Sequence, residues 1–476
     1  MLNMWVVAAA LLALVAVAFV FGKRHARRLQ RSRRIHVDRF KLKRTHADIE
    51  LEVFGSGEVV QAIQGYAKEH HVSTEEAMKQ ARAYLREIVP KFNLLAYYRF
   101  GAPIARAIMN FLYRVVVERR PLRDFNQRAI RGTTVVYVIN HRSNADYVLV
   151  AHLLFKFISL SYAVGEWARV WPLNHLFKWF GAYFIRRRYR EPLYHAILAN
   201  FVRTITKHGV TQGIFIEGGL TRDGAFGKPK IGMLDYIVTA KRDPAYTAPL
   251  YIIPTAINYD RVLEDRNLTE ELVGKDERST KFEKLRTTGE YLFKNALRSV
   301  LRRFKRYGYA IVTFGTPISV DDFAAAHPGL LAATFEERKP DMQRLAETVM
   351  NEISAALPVT PVALVARIFS DRSDRSEVAE QEIIAAIEAY RADWSERVWL
   401  MRERSASEIW RAARDILQLR HLIDVVVGGW RWNPNELLLR DYYANSLATF
   451  EEVKRRGWKE RSVATEGVAS VMEMAR

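Results

Sequence analysis

The sequence predicts an α/β domain, a sheet flanked by helices, preceded by an apolar N-terminal helix and a helical region and followed by a C-terminal helical appendix. Three observations lead there. Short β-branched runs alternate with helical stretches between residues 131 and 330, an uncharged run of eighteen residues stands near the N-terminus, and strand signals fade beyond residue 359. With 476 residues the chain has length for several units. We divide it into an anchor (1–22), a basic segment (23–46), a helical region (47–130), the sheet domain (131–330) and the C-terminal helical region (331–476).

The anchor is residues 5–22 (WVVAAALLALVAVAFVFG), close to the shortest helix that spans a bilayer. Residues 23–46 carry eleven Lys or Arg against one acid, Asp38. A cleaved signal has its positive charge before the apolar run; here the charge follows, so the segment is expected to stay as a transmembrane helix. The asymmetry places the N-terminus outside and the remainder in the cytoplasm, as a single-pass protein of the cell inner membrane. Beside an apolar span, the basic run fits anionic phospholipid headgroups rather than nucleic acid.

Ser73 and Glu76 have the spacing of a capping box before an amphipathic helix that ends at Pro90. Residues 94–117 are apolar but interrupted by Arg99, Arg106 and Arg114, which predicts packed or interfacial helices rather than a second span. Strands are expected at 133–139 (TTVVYVI), 213–216 (GIFI), 251–257 (YIIPTAI) and 309–314 (YAIVTF). Helices are expected at 193–207 and 281–305, the second with a basic face, and in the last third at 377–392 and 406–422. Pro434 marks a break, and the tail after Ser462 reads as disordered.

The chain carries 73 Lys and Arg against 53 Asp and Glu, an excess of 20, which favours an anionic partner. It has no cysteine, which excludes a disulfide framework, a thiolate metal site and a cysteine nucleophile.

Four blocks hold groups suited to chemistry. Residues 140–146 (NHRSNAD) lie where a buried strand ends and a helix begins, and Asp146, five residues after His141, can fold back to orient its imidazole as a general base. Residues 181–188 (GAYFIRRR) end a strand-like run in three arginines, whose forked donors suit phosphate oxygens. In residues 215–224 (FIEGGLTRDG) two glycines let backbone approach a ligand, with Arg222 and Lys228 adding charge. Pro254, within an apolar run, suggests an edge strand or bulge beside a site.

These blocks, in this order, resemble the glycerol-3-phosphate acyltransferase family within the phospholipid-biosynthetic acyltransferases: NHRSNAD, GAYFIRRR, FIEGGLTRDG with KPKIG, and IPTAINYDRV. The phrases ELVGK, FGTP and VTPVALVA also look like this family and favour its glycerol-3-phosphate branch. The resemblance implies an acyltransferase sheet domain in which His141 is the base and Asp146 its partner. It implies that Arg186 or Arg187, Glu217, Gly218, Gly219 and Arg222, with Lys228 nearby, hold the phosphorylated acceptor, and that Pro254 shapes the pocket. Leu220 departs from the pattern, since the family usually has arginine there; that contact is either missing or supplied by Arg188 or Lys228.

The implied reaction moves a fatty acyl group from acyl-CoA or acyl carrier protein to glycerol 3-phosphate, with no metal or cofactor, through an oxyanion that backbone amides near the first block are expected to stabilise. Dihydroxyacetone phosphate and lysophosphatidate are the alternative acceptors. A non-catalytic protein that binds anionic lipid or nucleic acid through residues 23–46 is the alternative of another class.

Overall fold

The computed structural model describes residues 46–89, 102–118, 132–154, 161–164, 182–184, 186, 189–273, 306–394 and 404–456. The expected anchor and basic segment, the helix at 281–305, Arg187, Arg188 and the tail after Ser462 lie outside them. Among the described residues no single helix is long and apolar enough to cross a membrane.

A mixed sheet organises the chain. Its strands are β1 (Arg114–Val117), β2 (Thr134–Ile139), β3 (Ser161–Val164), β4 (Ala182–Phe184), β5 (Gln212–Phe215), β6 (Leu250–Tyr259), β7 (Tyr309–Phe314) and β8 (Ile318–Ser319). Their order is β1-β7-β6-β2-β5-β3-β4, with β8 pairing β6. β2 lies inside, parallel to β5 on one side and to β6 on the other. A parallel strand covered on both faces is a near-continuous apolar run, as this one is after Thr134. Its alternate residues serve two cores.

Val136 and Val138 face a core shared with Pro192–Lys207, the N-terminal helices (His46–Phe54, Gly57–Glu69, Thr74–Ile88) and Phe335–Ala356. Tyr137 and Ile139 face a second core, formed with Ala102–Leu112 and the helices Pro361–Ser370, Glu380–Asp393, Ala406–Leu419 and Leu437–Asn445. The C-terminal region therefore shares one continuous core with the sheet. Asp260 ties the two together: its carboxylate accepts from the amide of Tyr309 at the start of β7 (2.8 Å) and from that of Val362 (3.0 Å). Thr360 caps the same helix, which explains the phrase VTPVALVA as a helix start.

The four expected strands and the helix beginning near residue 193 form within one or two residues of their expected bounds, and Ser73 and Glu76 make the capping box. Three features differ. Residues 114–117, expected to be helical, pair with β7 as β1, because their β-branched run Val115, Val116, Val117 meets an open strand edge. A hairpin, β9 (Ile423–Val426) and β10 (Gly429–Trp432), interrupts the C-terminal helices, where Trp430 stacks edge-on against Trp410. Pro254 is not on an edge: β6 is interior, and the proline falls where its neighbour changes from β8 (opposite Tyr251 and Ile252) to β7 (opposite Thr255 to Tyr259). There a missing N–H breaks no ladder bond, and the Pro254 carbonyl still accepts from the Gly315 amide (2.9 Å).

If the sheet and the C-terminal helices share one core, cutting back a fully buried residue of those helices destabilises the whole. Leu364→Ala is expected to cost about 2–5 kcal/mol, with the sheet and the C-terminal helices lost in one transition on chemical denaturation. Separate melting of the C-terminal helices would refute this.

Candidate active site

β2 ends at Ile139, and the next five residues, Asn140 to Asn144, turn into the helix Ala145–Leu154. The turn is held by its own polar groups. Asn140 extends the pairing of β2 with β6 through its side chain, which donates to the Ile257 carbonyl (3.0 Å) and accepts from the Ile257 amide (2.7 Å). Asp146, in the first helical turn, folds back as expected, and its Oδ2 lies 2.9 Å from His141 Nδ1. Both side chains are buried, with 2% and 0% of their surfaces exposed.

The Asp146 carboxylate is surrounded by donors. Oδ2 accepts from the amides of Arg142 (2.8 Å) and Ser143 (3.0 Å), and Oδ1 accepts from the Tyr259 hydroxyl (2.6 Å). Burial and the charge of Asp146 push the Tyr259 hydroxyl well above its ordinary pKa, which keeps it a donor. Phe215 stacks on the imidazole (ring centroids 4.1 Å apart), and Tyr147 meets it edge-on. The ring is thereby shielded and oriented, with Nδ1 turned to the acid.

The glycine turn after β5 joins the same cluster. Glu217 accepts from the His141 amide on Oε1 (2.9 Å) and from the Gly227 amide on Oε2 (2.6 Å), and the Thr221 amide donates to the His141 carbonyl (3.3 Å). Both carboxylate oxygens of Glu217 are thus engaged by backbone, so this residue braces the two loops together. Burial raises its carboxyl to about 7, against the charge of Arg142 and the two amide bonds, which lower it. The amides of His141, Arg142 and Ser143, expected near an oxyanion, hold these two acids instead.

Arg142, only 2% exposed, reaches across the site. It donates to the Gly224 carbonyl and, at 3.2 Å, to the Ser446 carbonyl just past Leu437–Asn445, and its guanidinium lies over the Phe226 ring. Gly224 has φ +83°, and a Cβ there would stand 1.8 Å from the Tyr442 carbonyl oxygen, so only glycine fits. Gly218, at φ +67°, makes the turn itself, its amide donating to the Phe215 carbonyl (3.1 Å). Gly219 follows it in the same turn.

The expected phosphate ligands are placed differently. Arg222 donates to Glu271 (2.5 Å). Arg186 forms a two-point pair with Glu87 of the Thr74–Ile88 helix (2.9 and 2.6 Å) and lies over the Tyr189 ring. Each guanidinium is held by its own carboxylate, so a shared clamp is not assembled in this structure. Lys228 is exposed, and Pro254 is buried within β6. Leu220, half-buried, packs against the core that holds the C-terminal helices.

Sequence reasoning assigned no role to Asn140, Arg142, Ser143, Tyr259 or Glu264. Tyr259 and Arg142 stand inside blocks already singled out. Their partners, however, lie more than eighty residues away in the chain, so spacing carried no signal.

A buried His–Asp pair at the carboxyl end of a parallel strand, with a glycine turn locked beside it, defines the chain as an α/β protein with an acyltransferase-type sheet domain. Residues 116–258 match the acyltransferase family and residues 293–450 match the glycerol-3-phosphate acyltransferase C-terminal region. Among curated proteins, glycerol-3-phosphate acyltransferase of Aeromonas hydrophila is 27% identical over 380 residues, which are 77% of this chain and 45% of that protein. That of Haemophilus influenzae is 28% identical over 69% of this chain and 40% of its own length. Among solved structures, the 1-acyl-sn-glycerophosphate acyltransferase of Thermotoga maritima is similar at 16% identity, with a TM-score of 0.30, over 53% of this chain and 76% of that one. Both family matches and the curated relatives thus carry acyltransferase descriptions, and the chain is similar to the glycerol-3-phosphate acyltransferases. It spans less than half the length of the curated relatives it matches.

Glu217→Gln replaces one of two acceptors with an NH2 that faces a backbone N–H, and is expected to cost about 1–3 kcal/mol on chemical denaturation. The pH dependence follows from the same group. Its folded pKa of about 7 lies above the ordinary 4.5, so the stability it contributes is complete below the ordinary value and is lost as pH rises through about 7. Stability measured from about pH 5 to about pH 8 should therefore decline less steeply in Glu217→Gln than in the parent. Parallel profiles would show that Glu217 does not titrate in this range.

Proposed function

We propose that the chain is a glycerol-3-phosphate O-acyltransferase, which moves a fatty acyl group from acyl-CoA or acyl carrier protein to the sn-1 hydroxyl of glycerol 3-phosphate, the first step of phospholipid synthesis. The reading rests above all on the 2.9 Å contact between His141 Nδ1 and Asp146, which leaves Nε2 as the base. The names of the curated relatives support the choice of acceptor.

In this mechanism His141 Nε2 takes the proton of the acceptor hydroxyl as its oxygen attacks the thioester carbonyl. Asp146 stabilises the imidazolium through Nδ1–H, and the ring cannot turn because Phe215 and Tyr147 hold it. The tetrahedral oxyanion collapses with cleavage of the carbon–sulfur bond, and the imidazolium returns its proton to the departing thiolate. No covalent acyl-enzyme is required. For Arg186 to bind the phosphate, the ligand must compete with Glu87 for the same forked donors, and at Arg222 it binds a guanidinium whose Nε is engaged by Glu271.

We further propose that residues 5–22 anchor the chain in the inner membrane, with the sheet domain on the cytoplasmic side, and that residues 23–46 lie against anionic headgroups.

Purified protein is expected to acylate glycerol 3-phosphate in preference to dihydroxyacetone phosphate and lysophosphatidate, and a clear preference for either of the others would reassign the acceptor. His141→Ala should abolish turnover without loss of fold, and Asp146→Asn should be nearly as damaging. Because the pair acts as one unit, the double variant should be little worse than His141→Ala. Wild-type turnover by His141→Ala would end this mechanism. For the membrane reading, protein lacking residues 1–22 should bind anionic vesicles at low salt and leave them at high salt, each basic residue contributing about 1 kcal/mol; failure to bind at low salt would refute the headgroup contact.

A further inference from the structure

We propose that Glu264 is a positioning residue for the His141–Asp146 base, acting through the hydroxyl of Ser143. The inference rests on the acyltransferase reading above and adds to it a group from outside the four sequence blocks. Glu264 directly precedes the helix Asp265–Leu272, where an acid commonly caps, yet its side chain makes no cap bond there. Its Oε2 instead accepts from Ser143 Oγ (2.7 Å), which lies 121 residues earlier in the chain. The Asn144 side chain also hydrogen-bonds to it. Both residues that follow His141-Arg142 in the turn therefore reach the same carboxyl group.

Ser143 is the joint of that turn. Its amide donates to Asp146 Oδ2 (3.0 Å), its carbonyl accepts from the Asp146 amide (3.0 Å), and its Oγ accepts from the Ala145 amide (3.0 Å). An oxygen that accepts from Ala145 needs an acceptor for its own proton, and Glu264 supplies one. With the hydroxyl rotor so fixed, the Ser143 backbone is held where its amide meets Asp146. Without Glu264 the rotor is released, and a turn that must place an imidazole to within a few tenths of an ångström loses one of its fixed points.

Glu264 itself stands on a rigid base. The Val262 amide donates to the Tyr443 hydroxyl (3.1 Å), and Asp265 is paired with Arg420 (2.7 Å) and accepts from Tyr443, so the residues around it are pinned to the C-terminal helices. Desolvation pushes the Glu264 carboxyl up to about 7, with the charge of Asp146 adding to it and the bonds from Ser143 and Asn144 opposing. A carboxyl group so placed can serve as the acceptor without forcing a second full charge beside Asp146.

The test compares Glu264→Ala, Glu264→Gln, Ser143→Ala and the double variant Ser143→Ala/Glu264→Ala in acyl transfer to glycerol 3-phosphate, with the His141 Nδ1–H resonance followed by proton NMR. Loss of positioning should lower kcat on the order of 10- to 100-fold in Glu264→Ala, with both KM values within about two-fold of the parent. Glutamine keeps an acceptor oxygen and should restore most of the rate. Ser143→Ala should match Glu264→Ala, and the double variant should be no worse than either. The resonance, assigned by its absence in His141→Ala, should shift or broaden in Glu264→Ala and persist in Glu264→Gln. Parental kcat in Glu264→Ala, equal losses in Gln and Ala, or additive losses in the double variant would overturn the proposal. Should the parent itself not acylate glycerol 3-phosphate, the acceptor reading fails, and the resonance still decides whether Glu264 positions His141.

Discussion

The arrangement depends on one buried carboxylate. Asp146 is wholly excluded from solvent, and a carboxylate in that position is tolerable only if its oxygens are met by donors. Four are provided: the imidazole, two amides of its own turn and the Tyr259 hydroxyl from β6. Satisfying the carboxylate and orienting the histidine are thus the same act. The helix N-terminus at Ala145 adds a favourable field for the negative charge.

That requirement spreads outward through the molecule. The two amides reach Oδ2 only if the turn between His141 and Asp146 is tight, and the turn is held tight from three directions. Asn140 fastens it to β6, Glu217 fastens it to the glycine turn after β5, and Arg142 fastens it to the carbonyls of Gly224 and Ser446. The last of these makes the C-terminal helices part of the site, although no catalytic residue is assigned to them. Glycine at 224 follows from the close approach of the Tyr442 carbonyl, which leaves no room for a Cβ.

Polar groups in this site answer to geometry before charge. Glu217 and Glu264, both raised to about 7 by burial, hold backbone and hydroxyl groups in place. Arg186 and Arg222, by contrast, are cations with their own acidic partners and so are neutralised where they stand. A phosphate at Arg186 would exchange with the two-point contact of Glu87, whereas at Arg222 it would meet a guanidinium bonded to Glu271 through Nε.

Much of the arrangement was legible before any coordinates. The apolar runs of β2, β5, β6 and β7 mark buried strands, because a parallel strand covered on both faces admits little else. The five-residue interval from His141 to Asp146 marks a turn that folds an acid back on an imidazole, because a helix beginning at Ala145 leaves the aspartate in its first turn. Such features are local: they depend on periodicity, capping and turn chemistry within a few residues. What only the tertiary structure decided is which distant groups complete them. Tyr259, Glu264 and Ser446 meet the turn across 113, 121 and 304 positions of sequence. The strand of residues 114–117 exists because β7 offers it an edge, and Pro254 sits in an interior strand because its missing donor falls between two neighbours. A sequence encodes local preference directly, whereas hydrogen bonds and packing between remote segments form only when the sheet order has brought them together.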